Sequence, residues 1–139
     1  LTKRLVERVM LGRLTAAWIY GCAPAPAQLQ LLIDHGRRTT ALMPFSAAVL
    51  HEVRLGPEDG MDIAGIQVTT PLRTAMDLAR HGPPEPSVRA LLAITADPVL
   101  RCPLGYVRSA VEAAVRLPGK SVALRRLDAV LRLAAADGG

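Results

Sequence analysis

At Thr69-Thr70-Pro71 the chain changes its rhythm. Thr70 offers a hydroxyl to the orphan N–H groups of a first helical turn, and Pro71 at the first helical position loses nothing by lacking an N–H. In Gln28 to Ile33 and again in Val49 to Leu55 apolar residues alternate with a period of two; beyond Pro71 they recur every three or four positions. A small sheet followed by helices is therefore expected, an α+β fold rather than an alternating α/β one, with the sheet mostly antiparallel.

The local pattern fills in this outline. Leu5, Val6, Val9 and Met10 fit one helical face, and Leu14, Ala17 and Trp18 continue a second helical piece that Gly21 can end. Gln28 to Ile33 reads as a strand with Leu29, Leu31 and Ile33 on one face, and Val49, His51, Val53 and Leu55 mark another. Asp34-His35-Gly36-Arg37-Arg38 is a turn with a basic tip. Ile63-Ala64-Gly65-Ile66 is a tight turn between short strands, with Gly65 taking a positive φ. The helix from Pro71 runs to Arg80, with Leu72, Ala75, Met76 and Ala79 as its buried stripe. Three more stripes follow: Val88-Leu91-Leu92-Thr95, Leu104-Val107-Val111-Ala114 and Ala123-Leu127-Val130-Ala134. They are separated by Gly82-Pro83-Pro84, Asp97-Pro98, Cys102-Pro103 and Leu117-Pro118-Gly119. One domain is expected, with an α+β part over 14–81 and a helical part over 84–136.

Composition limits what can fill the core. The chain is 50% apolar but only 3% aromatic, so Ala, Leu and Val must do the filling, which favours closely packed helices. A chain of 139 residues buries roughly two thirds of its unfolded surface and needs no metal or disulfide to fold. Cys22 and Cys102 stand far apart, and His35, His51 and His81 are scattered singly, so neither a disulfide framework nor a metal site is expected. The uncharged stretch from Leu14 to Ile33 contains Gly21, Pro24, Pro26, Gln28 and Gln30, which argues against a membrane span. No basic segment, apolar core and cleavage site occur in order, so a cytoplasmic location is expected.

Candidate chemistry is sparse. Gly119-Lys120-Ser121 resembles the end of a phosphate-cradling loop, but Ala114 stands where that motif needs glycine. Ser46, Ser87, Ser109 and Ser121 lack a nucleophile-elbow setting, and Glu58, Asp59 and Asp62 lie in an acidic loop without ligand spacing. Arg73 and Asp77 are four apart and can pair across one helical turn, a structural role. The net charge of +5 sits in the terminal segments. Arg108 and Arg116 flank Glu112, while Arg125, Arg126 and Arg132 flank Asp128; these read first as solvated, internally paired faces. With Arg37, Arg38 and Lys120 they are also the candidate contacts to an acidic protein or to nucleic acid. Trp18, Tyr20, Phe45 and Tyr106 are too few for base stacking on a single strand.

Three segments together resemble a known family: Leu14-Thr15-Ala16-Ala17-Trp18-Ile19-Tyr20-Gly21, then Ile63-Ala64-Gly65-Ile66-Gln67-Val68-Thr69-Thr70, then Pro71-Leu72-Arg73-Thr74-Ala75-Met76-Asp77-Leu78-Ala79-Arg80. Their order and separation are similar to the C-terminal antitoxin domain of the AbiEi-type antitoxin family, with Thr70, Arg73, Thr74 and Asp77 as motif residues that shape the domain. The resemblance implies the antitoxin half of a bacterial toxin–antitoxin or abortive-infection pair, counteracting a nucleotidyltransferase-like toxin, with no catalytic residue, metal or cofactor. Family members carry an N-terminal winged helix that binds the operon promoter. Too few residues precede Leu14 for one, so that module is expected to be absent from this chain. Promoter DNA is accordingly a partner mainly through the missing module. Two alternatives stay open: a DNA-binding regulator of its own operon, and an enzyme that covalently modifies the toxin.

Overall fold

The computed structural model describes residues 9–35 and 48–138. The elements are β1 Val9–Leu11, α1 Arg13–Ile19, β2 Leu29–Asp34, β3 Ala48–Val53, β4 Gly60–Ile63 and β5 Ile66–Thr69. There follow α2 Pro71–Arg80, α3 Pro84–Ala96, α4 Leu104–Ala113 and α5 Lys120–Gly138. This is the α+β order that the change of rhythm at Thr70 predicts. Leu5, Val6 and the Gly36-Arg37-Arg38 tip lie outside the described residues. Among the described residues no helix is long and apolar enough to cross a membrane.

The five strands form one sheet in the order β3-β2-β1-β5-β4. It is mixed, and the expectation of a mostly antiparallel sheet is corrected. β1 runs antiparallel to β2 and parallel to β5, β2 runs parallel to β3, and β4 runs antiparallel to β5. A tight turn forces antiparallel neighbours, whereas parallel neighbours need a long crossover. Only the Ala64-Gly65 turn shows in the sequence as a tight one; the long connection from Asp34 to Ala48 leaves β2 and β3 free to run the same way. At the turn both Ala64 (φ 52°) and Gly65 (φ 86°) are left-handed, the conformation a two-residue hairpin needs.

A second correction concerns Val9 and Met10. They do not continue a helical face but lie in β1, the middle strand, with Val9 opposite Ile33, Met10 opposite Leu32 and Leu11 opposite both Leu31 and Val68. A three-residue apolar run has no period of its own, so pairing on both sides decides its form. Gly12 then turns the chain directly into α1. Its N–H donates to Gln30 O (3.0 Å), and its own carbonyl accepts from the N–H groups of Thr15 and Ala16. The turn lies tight against β2: a Cβ on Gly12 would meet Leu32 Cδ1 at 2.6 Å and Cγ at 2.7 Å. At its far end α1 closes in a Schellman motif, with Cys22 N–H on Ala17 O, Gly21 N–H on Trp18 O and Gly21 at φ 77°.

The main core lies among the helices rather than on the sheet. It joins Ala17, Ala75, Leu78, Ala79, Leu91, Ile94, Val107, Val111, Ala123, Leu127 and Val130. α2 runs through its centre, packed against β5 and all four other helices. That position changes its pattern. Thr74, Ala75, Asp77, Leu78 and Ala79 are all buried, so α2 is covered on several sides, and Leu72 and Met76 are only half-buried. Small residues at 75 and 79 let neighbouring backbones approach closely, which is how a core nearly without aromatics reaches close packing. On α5, Ala123, Leu127 and Val130 are buried as their spacing predicts, but Ala134 is exposed because the helix outruns the core.

The tight Gly12 turn sets a test. Leu32 is fully buried and has no room to retreat. Gly12→Ala is expected to lower stability by about 1–3 kcal/mol. The urea unfolding midpoint measures this, with an unchanged slope showing that the unfolded state is not the cause.

Candidate functional site

Among the described residues, three of the five buried polar side chains, Thr69, Thr74 and Asp77, lie at the β5–α2 junction. Thr70 caps α2 as its sequence predicts, its hydroxyl accepting from Arg73 N–H at 3.2 Å. Thr74, one turn on, is fully buried and has a single proton to give. Its nearest carbonyl is Thr70 O at 2.8 Å, so the Thr69 hydroxyl, 2.6 Å away, donates to Thr74 Oγ1. The Tyr20 hydroxyl donates to Thr69 O at 2.6 Å, tying the end of α1 to β5, and burial raises its pKa to about 12. Direct hydrogen bonds thus join the three segments that carry the family resemblance.

Asp77 is the centre of the charge. Its carboxylate is only 2% exposed and accepts from Arg73 Nε (3.0 and 3.1 Å) and from Arg80 Nη2 (3.2 Å). Arg73 reaches further: its Nη1 donates to Arg54 O (2.7 Å) and pairs with Asp59 Oδ2 (3.1 Å). One guanidinium thereby fastens the exit of β3 and the 56–59 loop to α2. Arg80 Nη1 donates to Pro118 O, which ties α2 to the approach to α5. A buried carboxylate so engaged is strongly destabilising to lose, because its partners stay behind as uncompensated charges.

Sequence reasoning did not single out the remaining members. Arg13, the first residue of α1, has a left-handed backbone (φ 53°) and a half-buried guanidinium. Its Nη1 lies 3.4 Å from His51 Nε2 on β3, and the same ring nitrogen lies 2.8 Å from Gln30 Oε1 on β2. The ring nitrogen either donates to Gln30 or accepts from Arg13, as the tautomer decides. Burial, with Arg80 and Arg73 nearby and Asp77 opposing, lowers the Arg13 pKa. Burial and then Arg13 lower that of His51. Burial, then Arg13 and Arg80, bring His81 down to about 4. The four-residue spacing of Arg73 and Asp77 was legible, but Arg80 was not joined to it; Arg13, Gln30 and His51 come from three distant elements, and no local pattern joins them.

The cationic candidates divide into engaged and free groups. Arg126 donates to Leu78 O, His81 O and Gly82 O (2.7–2.9 Å), and so caps the C-terminus of α2. Lys120 Nζ does the same for α4 through Glu112 O (2.8 Å) and Ala114 O (3.2 Å), turned back onto carbonyls rather than toward an anion. Arg108 pairs with Asp128 and Glu112. Arg116, Arg125 and Arg132 are exposed and have no ion-pair partner among the described residues. Arg37 and Arg38 lie outside the described residues. The loop acids are structural here: Asp59 Oδ2 accepts from Gly56 N–H, and Asp62 Oδ1 from Gly65 N–H. Cys22 and Cys102 are free thiols, and burial raises Cys102 to about 11. Among the described residues no group of His, Cys, Asp or Glu could hold a metal ion.

Two outcomes follow from this geometry. Asp77→Ala is expected to cost about 3–5 kcal/mol in thermal or urea unfolding. His81 is held neutral in the folded state, with a pKa near 4 against 6.5 for the free side chain. The unfolded chain therefore binds the extra proton first. The contribution of His81 is complete above pH 6.5 and is lost as the pH falls toward about 4. His81→Gln should flatten the decline in stability between pH 6.5 and about 5, above the range where carboxylates titrate.

Comparison of the chain with protein-family models, with curated proteins and with solved structures finds no match.

Proposed function

We propose that this chain is the antitoxin domain of an AbiEi-like bacterial toxin–antitoxin pair and that it neutralises a nucleotidyltransferase-like toxin by contact, in the cytoplasm. The observation that carries the reading is the physical unity of the residues behind the resemblance. Tyr20 bonds to Thr69, Thr69 to Thr74, and Thr70 caps the helix whose Arg73 and Asp77 pair. These residues are used up in holding the scaffold together. Recognition then falls to what the scaffold presents outward, and Arg116, Arg125 and Arg132 offer exposed guanidinium groups to an acidic surface. Promoter binding belongs, in this reading, to a winged helix and not to these residues.

Co-expression with the toxin encoded beside it provides the test. The wild-type chain is expected to restore growth and to copurify with the toxin. Arg125→Glu combined with Arg132→Glu should abolish rescue while leaving the unfolding free energy within about 0.5 kcal/mol, as for surface changes away from structural contacts. A confirmed partner toxin left fully active by the wild-type chain would overturn the reading. Duplex binding whose affinity falls steeply with salt would instead favour the regulator.

A further inference from the structure

Arg13 is a charge without a counter-ion. Asp77, the carboxylate whose field it feels, is committed to Arg73 and Arg80, and Asp59 is committed to Arg73. Arg13 has no ion-pair partner among the described residues, and its Nε is buried with no hydrogen-bond acceptor. Among the described residues its one side-chain hydrogen-bond contact is with the His51 ring, at 3.4 Å. Proteins seldom leave a buried donor in this state, and a guanidinium still less.

Arg13 also lines a hollow of about 300 Å³ between the start of α1, the 26–30 segment and the end of α2. Arg13, Gln28 and Gln30 give it a polar side; Leu14, Pro26 and Leu78 give it an apolar one. A few convergent donors beside an apolar wall, in a hollow this large, are the usual make-up of a small-molecule site. We propose that this hollow binds a small oxyanion-bearing molecule, a carboxylate or a phosphate monoester on a compact apolar body. Its anionic group supplies the counter-ion that Arg13 lacks. Arg13 is suited to the task because its planar fork of donors matches either oxyanion. Gln30, already oriented by Gln28 and His51, sits beside it as a further polar contact. The apolar body packs on the Leu14 and Leu78 side. The site stands independently of toxin neutralisation.

Arginine Nε–H signals of the 15N-labelled chain read the site directly. Benzoate, phenyl phosphate and inorganic phosphate serve as probes, with benzamide as the neutral control and sodium chloride matching ionic strength. The Arg13 signal should move saturably with at least one of the aromatic oxyanions, at a Kd of about 1 mM or tighter, and stay still with benzamide and chloride. Benzoate or phenyl phosphate as the tighter probe identifies the carboxylate or the phosphate as the preferred anion. Inorganic phosphate should bind more weakly, because it lacks the apolar body. Arg13→Gln should weaken binding at least about tenfold. Ala27→Trp, which fills the hollow from its exposed wall and leaves every charge in place, should weaken it as much, and it decides the matter if Arg13→Gln does not fold. Overturning results are all arginine signals drifting together without saturation, or Ala27→Trp binding like the wild type.

Discussion

The buried carboxylate of Asp77 is the contact on which the architecture turns. It sits on a helix enclosed by four others and a strand, where an ionised group is tolerated only with its oxygens fully engaged. Arg73 and Arg80 satisfy it, and each also donates to one backbone carbonyl of another element, Arg54 O and Pro118 O. The charge that would be a liability in an alanine- and leucine-filled core becomes the knot joining β3, the 56–59 loop, α2 and the α5 approach. Buried ion pairs contribute little net stability against apolar replacements; their attested value lies in fixing one arrangement over its competitors. A core of small aliphatic side chains, with few shapes to discriminate between packings, is where such a device matters.

The same economy governs the helix ends. Arg126 and Lys120, both from α5, place their cations on the exposed carbonyls that end α2 and α4. Two cations are thereby used internally, at helix C-termini where the backbone dipole favours positive charge. The pI near 10.0 is therefore a poor guide to the surface. Among the described residues Arg54, Arg89, Arg101, Arg116, Arg125 and Arg132 remain exposed.

The helical half was the more legible. Each of its breaks coincides with a proline or glycine cluster, and the stripes on α4 and α5 hold at Val107, Val111, Ala123, Leu127 and Val130. The Thr70-Pro71 cap was legible too, because cap chemistry is local. The sheet was less so. Strand direction and the central place of β1 depend on pairing between distant segments, and three residues of β1 carry no period to announce them. In the site, Arg73 and Asp77 were visible at helical spacing. Arg13, Gln30 and His51 meet only through the fold, and Arg126 looked like a surface cation until its carbonyl partners came into view.

The position of β1 has a kinetic consequence. The strand at the centre of the sheet is the first described element of the chain, and it joins β2, which follows it closely, to β5, which arrives much later. The sheet thus stays in two unconnected pieces until the chain has closed a long loop, at an entropic cost that short-range helix contacts do not carry. The sheet is expected to close late, after α2 to α5, which brief connections link, have condensed.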